Sequence, residues 1–400
     1  MDSMNSRSRL VSSSSDQTEF TSSTSSTTTT NTGAIDSPSL SSSSSSTSSS
    51  TSTSPLSNGK PHAPSRSSSQ ISLSSSQPSL NRGISMGAIP TTRSTADMPP
   101  PPLPPNHERL LLPIADLRLH TEQRMKEEFM TLESIYHNSI HVTIEGTQKY
   151  NTSKNRYTNI LPCDLTRVKL EKVNGQEGSD YINANFIDGE YDRQYICTQG
   201  PLQNTIADFW RMVWENESYI IVMLSKELEN CRPKCDRYWS ETDPVNFEKF
   251  CVKLKEIVRD EEREIITRTF ILTNATNNES RIITHYQYEG WPDHNAPNDT
   301  EPLRCLLHLI NQNQNDLPEK DQANPIVVHC SAGVGRTGTF CTVHIMMSRI
   351  DNSPLDKVDF NLYSVVNNLR KQRPGMVQQL EQYLFCYEAI EDELRERNIT

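Results

Sequence analysis

The fold is indicated most clearly by the segment Ile326-Val327-Val328-His329-Cys330-Ser331-Ala332-Gly333-Val334-Gly335-Arg336-Thr337-Gly338. Its first three residues are apolar and β-branched, which is typical of a buried strand. Two glycines then interrupt the apolar run, and a helical pattern begins where they end. The segment therefore predicts a strand, a short glycine-bearing loop and a helix.

This arrangement predicts a phosphate-binding loop. Such a loop turns successive backbone N–H groups toward one point, and the helix N-terminus adds its positive dipole end. Arg336 contributes a planar fork that can hold two phosphoryl oxygens. No lysine follows the second glycine, so the loop is not of the nucleotide-binding G-x-x-x-x-G-K type. Cys330 stands at the mouth of the cradle, where the same N–H groups should stabilise a nucleophilic thiolate.

Apolar spacing predicts the surrounding helices and strands. A helix with one apolar face is expected where large apolar residues follow one another at intervals of four, three and four, namely Met125, Phe129, Leu132 and Tyr136. Strands are predicted at 219–224, 265–272, 281–288 and 325–328, and helices at 205–214, 300–312, 336–350, 359–371 and 380–395. Thr205 and Asp208 have the spacing of a capping box. We expect an α/β fold, a central mixed β-sheet flanked by helices.

The composition excludes several classes of protein. The longest apolar run, residues 220–224, is far shorter than the roughly 20 residues of a membrane-spanning helix. The first residues hold no apolar secretory segment. The chain has 39 basic and 50 acidic residues, a net charge of −11, which argues against a general nucleic-acid binder. Nine cysteines in 400 residues do not form a disulfide framework, so a cytoplasmic protein with reduced thiols is expected.

The N-terminal region differs in composition from the rest. Residues 1–107 are dominated by Ser, Thr and Pro and lack the apolar surface that would offset the entropy of ordering, so we expect disorder. The proline-rich stretch 99–105 fits a ligand of an SH3, WW or EVH1 domain and fits a stiff spacer equally well. Ser37-Pro38 and Ser54-Pro55 are either sites for a proline-directed kinase or chance occurrences in a Ser-rich tract.

The pattern His329-Cys330-x-x-Gly333-x-x-Arg336-Thr337-Gly338 resembles the signature of the tyrosine-specific protein tyrosine phosphatases. Further segments resemble motifs of that family in the same order: Lys154-Asn155-Arg156-Tyr157, Asp180-Tyr181-Ile182-Asn183-Ala184-Asn185, Gln199-Gly200-Pro201, Trp291-Pro292-Asp293-His294 and Gln372-Arg373-Pro374-Gly375-Met376-Val377-Gln378. The resemblance implies a non-receptor catalytic domain over residues 122–392. It also implies the cysteine-based phosphatase fold, in which the mixed sheet is highly twisted.

The resemblance implies a two-step hydrolysis of phosphotyrosine. Cys330 would attack phosphorus and form a phosphocysteine, while Asp293 protonates the leaving phenolate. Gln378 would then position a water, with Asp293 acting as base, and Thr337 would donate a hydrogen bond to the departing sulfur. Arg336 and the loop would bind the phosphate. Neither a cofactor nor a metal is expected.

The resemblance also implies which residues bind the substrate. Tyr157 would stack its ring on the phosphotyrosine ring, and Asn159 would lie beside it. The remaining binding residues are those of the loop, Ser331, Ala332, Gly333, Val334 and Gly335, together with Cys330, Arg336, Asp293 and Gln378. His329 is expected to orient the loop by hydrogen bonds. Asn295, Gln379, Cys163 and Ser240 depart from the family pattern, and we expect them to affect rate rather than chemistry.

Three functions fit the sequence. The first is an active tyrosine phosphatase with phosphotyrosine proteins as substrates. The second is an inactive module that binds phosphotyrosine, and the third is a scaffold that acts through its Ser/Thr/Pro-rich region. The intact set of Cys330, Asp293 and Arg336 favours the enzyme. Cys231 and Cys235 have no second ligand pair nearby in sequence, so zinc is not expected.

Overall fold

The computed structural model describes residues 117, 119–190, 194–292 and 295–398. The predictions for residues 1–107, namely the disorder, the proline-rich ligand and the kinase sites, lie outside the described residues. So do Asp293 and His294. The helices are α1 (Glu122–Asn138), α2 (Ile144–Thr147), α3 (Ile206–Glu215), α4 (Glu301–Asp316), α5 (Gly335–Asn352), α6 (Leu362–Gln372) and α7 (Leu380–Glu396).

The strands are β1 (Arg167–Lys169), β2 (Tyr181–Asp188), β3 (Gln194–Thr198), β4 (Ile220–Met223), β5 (Leu228–Glu229), β6 (Arg232–Pro233), β7 (Val245–Phe247), β8 (Phe250–Asp260), β9 (Ile265–Asn274), β10 (Glu279–Tyr288) and β11 (Ile326–His329). Nine of these strands, within the described residues, form one sheet in the order β1-β2-β3-β11-β4-β10-β9-β8-β7. β11 is parallel to both of its neighbours and β4 is parallel to β10, whereas the other pairs are antiparallel. β5 and β6 form a separate hairpin.

β11 is an interior strand of the nine-stranded sheet, and both of its faces are covered. Alternate side chains of a strand point to opposite faces, so Val327 packs into the core beneath α3 and Val328 into the core shared by α4 to α7. All four residues of β11 are buried. The carboxyl end of β11 lies at the edge of the sheet where its parallel neighbours β3 and β4 also end. Parallel α/β sheets bind ligands at this edge.

The predicted α/β arrangement is confirmed, and most predicted elements are present. The four predicted strands correspond to β4, β9, β10 and β11, and the predicted helices correspond to α1 and α3 to α7. The predicted capping box is wrong, because the carboxylate of Asp208 instead binds Lys154 at 2.8 Å and Arg211 at 3.1 Å. Among the described residues, none of the helices is long and apolar enough to cross a bilayer.

Candidate active site

The loop that follows β11 wraps around the sulfur of Cys330. Gly333 has a φ of +71°, and a Cβ at this position would lie 2.0 Å from the carbonyl oxygen of Thr198. The left-handed conformation and the close approach of β3 together require glycine. The turn brings the Gly333 N–H within 3.3 Å of the Cys330 sulfur, and Thr337 in the first turn of α5 donates its hydroxyl to the same atom at 3.3 Å.

These contacts place two hydrogen-bond donors on the sulfur, and the N-terminus of α5 adds its positive dipole end. Cys330 is buried, with 5% of its surface exposed. The sulfur therefore lies at the floor of a cleft.

Arg373 fixes the loop from behind. Its guanidinium donates to the carbonyl oxygens of Gly333 at 2.8 Å and Ala332 at 3.0 Å, and to the side chains of Asn185 and Asn183 in β2. The C=O and N–H of a trans peptide point in opposite directions. Because the carbonyls face Arg373, the N–H groups of these peptides face the cleft. Burial lowers the pKa of Arg373, and its four hydrogen bonds compensate the desolvation.

Arg336 is held by an ion pair at the side of the cleft. It donates to both carboxylate oxygens of Glu229 in β5, at 2.6 and 2.8 Å, and to the carbonyl oxygens of Leu224 and Pro292 at 3.0 and 3.2 Å. Both side chains of the pair are less than a tenth exposed. Lys234 lies 3.7 Å from the same carboxylate. The pair fixes the plane of the guanidinium at the side of the cleft.

His329 orients the loop through hydrogen bonds and is neutral. Burial lowers the pKa of His329 to about 4, so at neutral pH only one ring nitrogen carries a proton. Its Nδ1 faces the Cys330 carbonyl oxygen at 3.2 Å, and its Nε2 faces the hydroxyl of Tyr238 at 2.8 Å. A carbonyl can only accept, so Nδ1 carries the proton and Tyr238 donates to Nε2. The Tyr238 oxygen then accepts from Nε2 of His285, also at 2.8 Å.

The cleft brings together most of the predicted site residues. It is lined by Tyr157, Asn159, Ile160, Lys234, Cys330, Ser331, Ala332, Gly335, Arg336, Gln378, Gln379 and Gln382. The hydroxyl of Tyr157 lies 2.8 Å from the Ser331 hydroxyl, which ties the wall of the cleft to the loop. Gly333 and Val334 are buried behind this lining. Asp293 lies outside the described residues, and the neighbouring Trp291 is buried and donates to the Asn295 carbonyl at 2.8 Å.

Sequence reasoning missed the contacts of three residues that shape the site. Arg373 lay inside a quoted motif, yet nothing in its neighbours indicates a contact with residues 183 and 185. Glu229 pairs with Arg336 across 107 residues, a contact that no local pattern indicates. Gln382 accepts from the backbone N–H groups of Gln378 and Gln379 at 3.0 and 3.2 Å. The position of Gln382 in the first turn of the helix predicted from residue 380 was the one signal for this contact, because side chains there can bind backbone N–H groups that precede the helix.

Comparisons with known proteins agree with this geometry. The family model described as "Protein-tyrosine phosphatase" matches residues 151–392. The chain belongs to the protein-tyrosine phosphatase family. Tyrosine-protein phosphatase 1 of Dictyostelium discoideum is 43% identical to this phosphatase, over 84% of this chain and 85% of its own length. Receptor-type tyrosine-protein phosphatase alpha of Homo sapiens is 38% identical over 67% of this chain, which spans 32% of that protein.

A solved structure has the same fold. It is described as "Structural basis of PTPN18 fingerprint on distinct HER2 tyrosine phosphorylation sites", and it superimposes with a TM-score of 0.62 at 36% identity, over 68% of this chain and 94% of that chain. The predicted cysteine-based phosphatase fold and the predicted enzyme class, a protein-tyrosine phosphatase, are confirmed. The family removes phosphate from phosphotyrosine in proteins.

Proposed function

We propose that the phosphatase hydrolyses phosphotyrosine in two steps through a phosphocysteine on Cys330. The observation that carries this proposal is the environment of one sulfur. Cys330 accepts hydrogen bonds from Gly333 and Thr337 at the floor of a cleft whose side is formed by Arg336. A thiolate nucleophile and a cationic fork therefore face the same space, as transfer of a phosphoryl group to sulfur requires.

In the first step the Cys330 sulfur forms a bond to phosphorus while the bond from phosphorus to the phenolic oxygen breaks. The electron pair of that bond leaves with the oxygen, and a phenolate with a pKa of about 10 leaves more readily when it receives a proton. Asp293 supplies this proton in our proposal. Pro292, its neighbour, accepts a hydrogen bond from Arg336 at 3.2 Å, which links this segment of chain to the phosphate site.

In the second step a water attacks the phosphocysteine and the sulfur departs as a thiolate. Gln378, which lines the cleft with Cys330, positions this water, and Asp293 takes its proton. Thr337 stabilises the negative charge that returns to sulfur, because its hydroxyl donates to that atom. Inorganic phosphate then leaves, and the enzyme regains its initial state.

Selectivity for phosphotyrosine follows in this proposal from the depth of the site. Cys330 is almost fully buried, and the ring of Tyr157 forms a wall above it. The ring of phosphotyrosine is long enough to reach the sulfur while it stacks on Tyr157. A phosphoserine side chain is shorter, so its phosphorus would stay too far from the nucleophile. Asn159 lies next to Tyr157, where it can hydrogen-bond the backbone of a bound peptide.

The catalytic domain in this proposal extends over residues 122–392, and its substrates are phosphotyrosine proteins. All nine cysteines lie in the described residues and none forms a disulfide, which suits the reducing cytoplasm. The sequence at 99–105 supports a partner with an SH3, WW or EVH1 domain. A pull-down with such domains, compared between the chain and a variant with these prolines replaced by alanine, tests that partner.

Two variants test the mechanism. Cys330→Ser should reduce turnover of p-nitrophenyl phosphate below about 1% of wild type, because a serine hydroxyl is not ionised at neutral pH, while a phosphotyrosine peptide still binds. Asp293→Ala should lower kcat by about 10²–10⁴-fold for phenyl phosphate and less for p-nitrophenyl phosphate, whose leaving group is more acidic. Wild-type turnover should survive EDTA. Substantial turnover by Cys330→Ser would exclude the phosphocysteine, and an equal loss for both substrates would exclude Asp293 as the acid.

A further inference from the structure

Val377, the residue before Gln378, has an unusual backbone conformation. Its φ is +56°, in the left-handed region that β-branched residues rarely adopt. Such a conformation persists only where the surrounding structure imposes it. Because Gln378 follows directly, the conformation of Val377 determines the direction in which Gln378 leaves the backbone and enters the cleft.

Three hydrogen bonds hold this segment in place. The Val377 N–H donates to the carbonyl of Val334 in the phosphate loop at 3.1 Å. On the other side, Arg370 in α6 donates to the Val377 carbonyl at 2.7 Å and to the Met376 carbonyl at 2.9 Å. Space is also restricted, since a Cβ on Gly338 would lie 2.3 Å from the Val377 nitrogen. The guanidinium of Arg370 thus donates hydrogen bonds to the carbonyls of two consecutive residues, Met376 and the strained Val377.

Arg370 is itself held by α1, the first described helix. Glu133 accepts from its guanidinium at 2.8 Å, and the rings of Phe129 and Tyr136 lie against it, with centroids at 5.4 and 5.9 Å. The Arg370 side chain is 5% exposed and that of Glu133 is 35% exposed. A continuous series of contacts therefore leads from α1 through Arg370 to Val377. The helix α1 precedes the residues 151–392 that match the family model.

We propose that Glu133 and Arg370 are positioning residues for the second step of the reaction, and that α1 is part of the apparatus that places the attacking water. Glu133 fixes the guanidinium of Arg370, Arg370 fixes the carbonyls of Met376 and Val377, and Val377 aims Gln378. In this proposal Glu133, Arg370 and Val377 do not touch the phosphoryl group themselves. The inference rests on the proposed function, in which Gln378 positions the water.

This role has a kinetic signature that a general loss of structure would not produce. The first step needs Cys330, Arg336 and Asp293, whereas the second step also needs Gln378. When only hydrolysis of the phosphocysteine slows, kcat and KM fall by the same factor and kcat/KM is unchanged, because kcat/KM reports the steps up to formation of the intermediate. The phosphocysteine then accumulates, and a burst of p-nitrophenol precedes the steady state.

The experiment compares Glu133→Gln and Arg370→Met with a control on the same helix. The control is Glu128→Gln. In the wild-type enzyme the Glu128 carboxylate accepts from Tyr383 and Tyr387 in α7, at 2.8 Å each, and not from Arg370. We expect kcat for p-nitrophenyl phosphate to fall by about 10–100-fold in Arg370→Met, and less in Glu133→Gln, with kcat/KM within about twofold of wild type. The control should show neither a burst nor a selective loss of kcat.

A double variant keeps the test informative if Arg370→Met does not fold. In a Gln378→Ala background, Glu133→Gln should cause no further loss of kcat, since the residue that it positions is absent. Equal losses of kcat and kcat/KM in the single variants, additive effects in the double variant, or the same behaviour in Glu128→Gln would overturn the inference. Absence of a trapped phosphocysteine in the wild-type enzyme after acid quench would instead refute the proposed function on which the inference rests.

Discussion

Glu229→Gln perturbs the phosphate site without touching any reacting atom. Glutamine has nearly the shape of glutamate, but one carboxylate oxygen becomes an amide NH₂. In the wild-type enzyme both oxygens accept from Arg336, at 2.6 and 2.8 Å. In the variant one of the two guanidinium donors faces another donor, so one charge-assisted hydrogen bond is lost and the guanidinium is held less firmly.

The expected loss can be worked from these contacts. A hydrogen bond to a charged group contributes about 1.5–3 kcal/mol, so the loss of one amounts to about 2 kcal/mol. The side chains of Glu229 and Arg336 are 7% and 9% exposed, and solvent therefore screens the interaction little. In the variant the free energy needed to orient Arg336 is therefore added to the activation free energy. Each 1.36 kcal/mol is a factor of ten in rate, so kcat/KM should fall about 30-fold.

The assay measures kcat/KM on a phosphotyrosine peptide, with circular dichroism to verify folding. The same hairpin region supplies a matched control, because Glu227 pairs with both guanidinium donors of Arg237 at 2.6 and 2.8 Å on the surface. This pair is far more exposed, at 29% and 53%, so Glu227→Gln should change kcat/KM less than about twofold. Equal rates for Glu229→Gln and Glu227→Gln would refute the claim that the buried pair orients Arg336.

Thr337→Ala removes the hydroxyl that stabilises the departing sulfur in the proposed mechanism, so kcat should fall about tenfold with a burst of product in stopped-flow traces; an equal fall of kcat/KM would contradict this. Arg373→Met leaves buried carbonyls without donors and should lower the free energy of unfolding in urea by about 3 kcal/mol, whereas a change below about 1 kcal/mol would show that water replaces the guanidinium. The hydrogen bond that His308 donates to the Glu393 carboxylate raises the pKa of His308 above 6.5. The folded state then holds this proton more tightly, so its stabilisation is complete below about pH 6.5 and is lost as pH rises through the raised pKa. The Tm difference between wild type and His308→Gln should therefore shrink as pH rises above about 6.5, and a constant difference would disprove the linkage.

The centre of the fold was predictable because its information is local. The apolar run of β11, the two glycines and Arg336 lie within eleven residues, and each has a direct consequence for the backbone. The helices with a clear apolar face were likewise predicted, with ends that differ by a few residues. Asp293 received its role from the resemblance alone, and that role stays a prediction.

The strands that sequence reasoning missed have side chains that conceal them. In β2 the buried Asn183 and Asn185 read as loop residues, yet they lie in the core because Arg373 pairs with them. In β8 the charged residues Lys253, Lys255 and Glu256 hide the alternation, because only part of this strand faces the core. The case of β2 depends on a partner 188 to 190 residues away along the chain, and a pattern of neighbours cannot show it.

The contacts of Arg373 also have a consequence for the order in which the site assembles during protein synthesis. Arg373 joins the phosphate loop to Asn183, which is 190 residues earlier in the chain. At roughly 5–20 residues per second, the ribosome takes roughly 2–9 seconds to add the 43 residues from Cys330 to Arg373. During that interval the nascent chain already carries the phosphate loop, but the guanidinium that holds the loop against β2 does not yet exist. The loop therefore gains this anchor only after residue 373 has emerged and docked, and a chain that ends earlier lacks it.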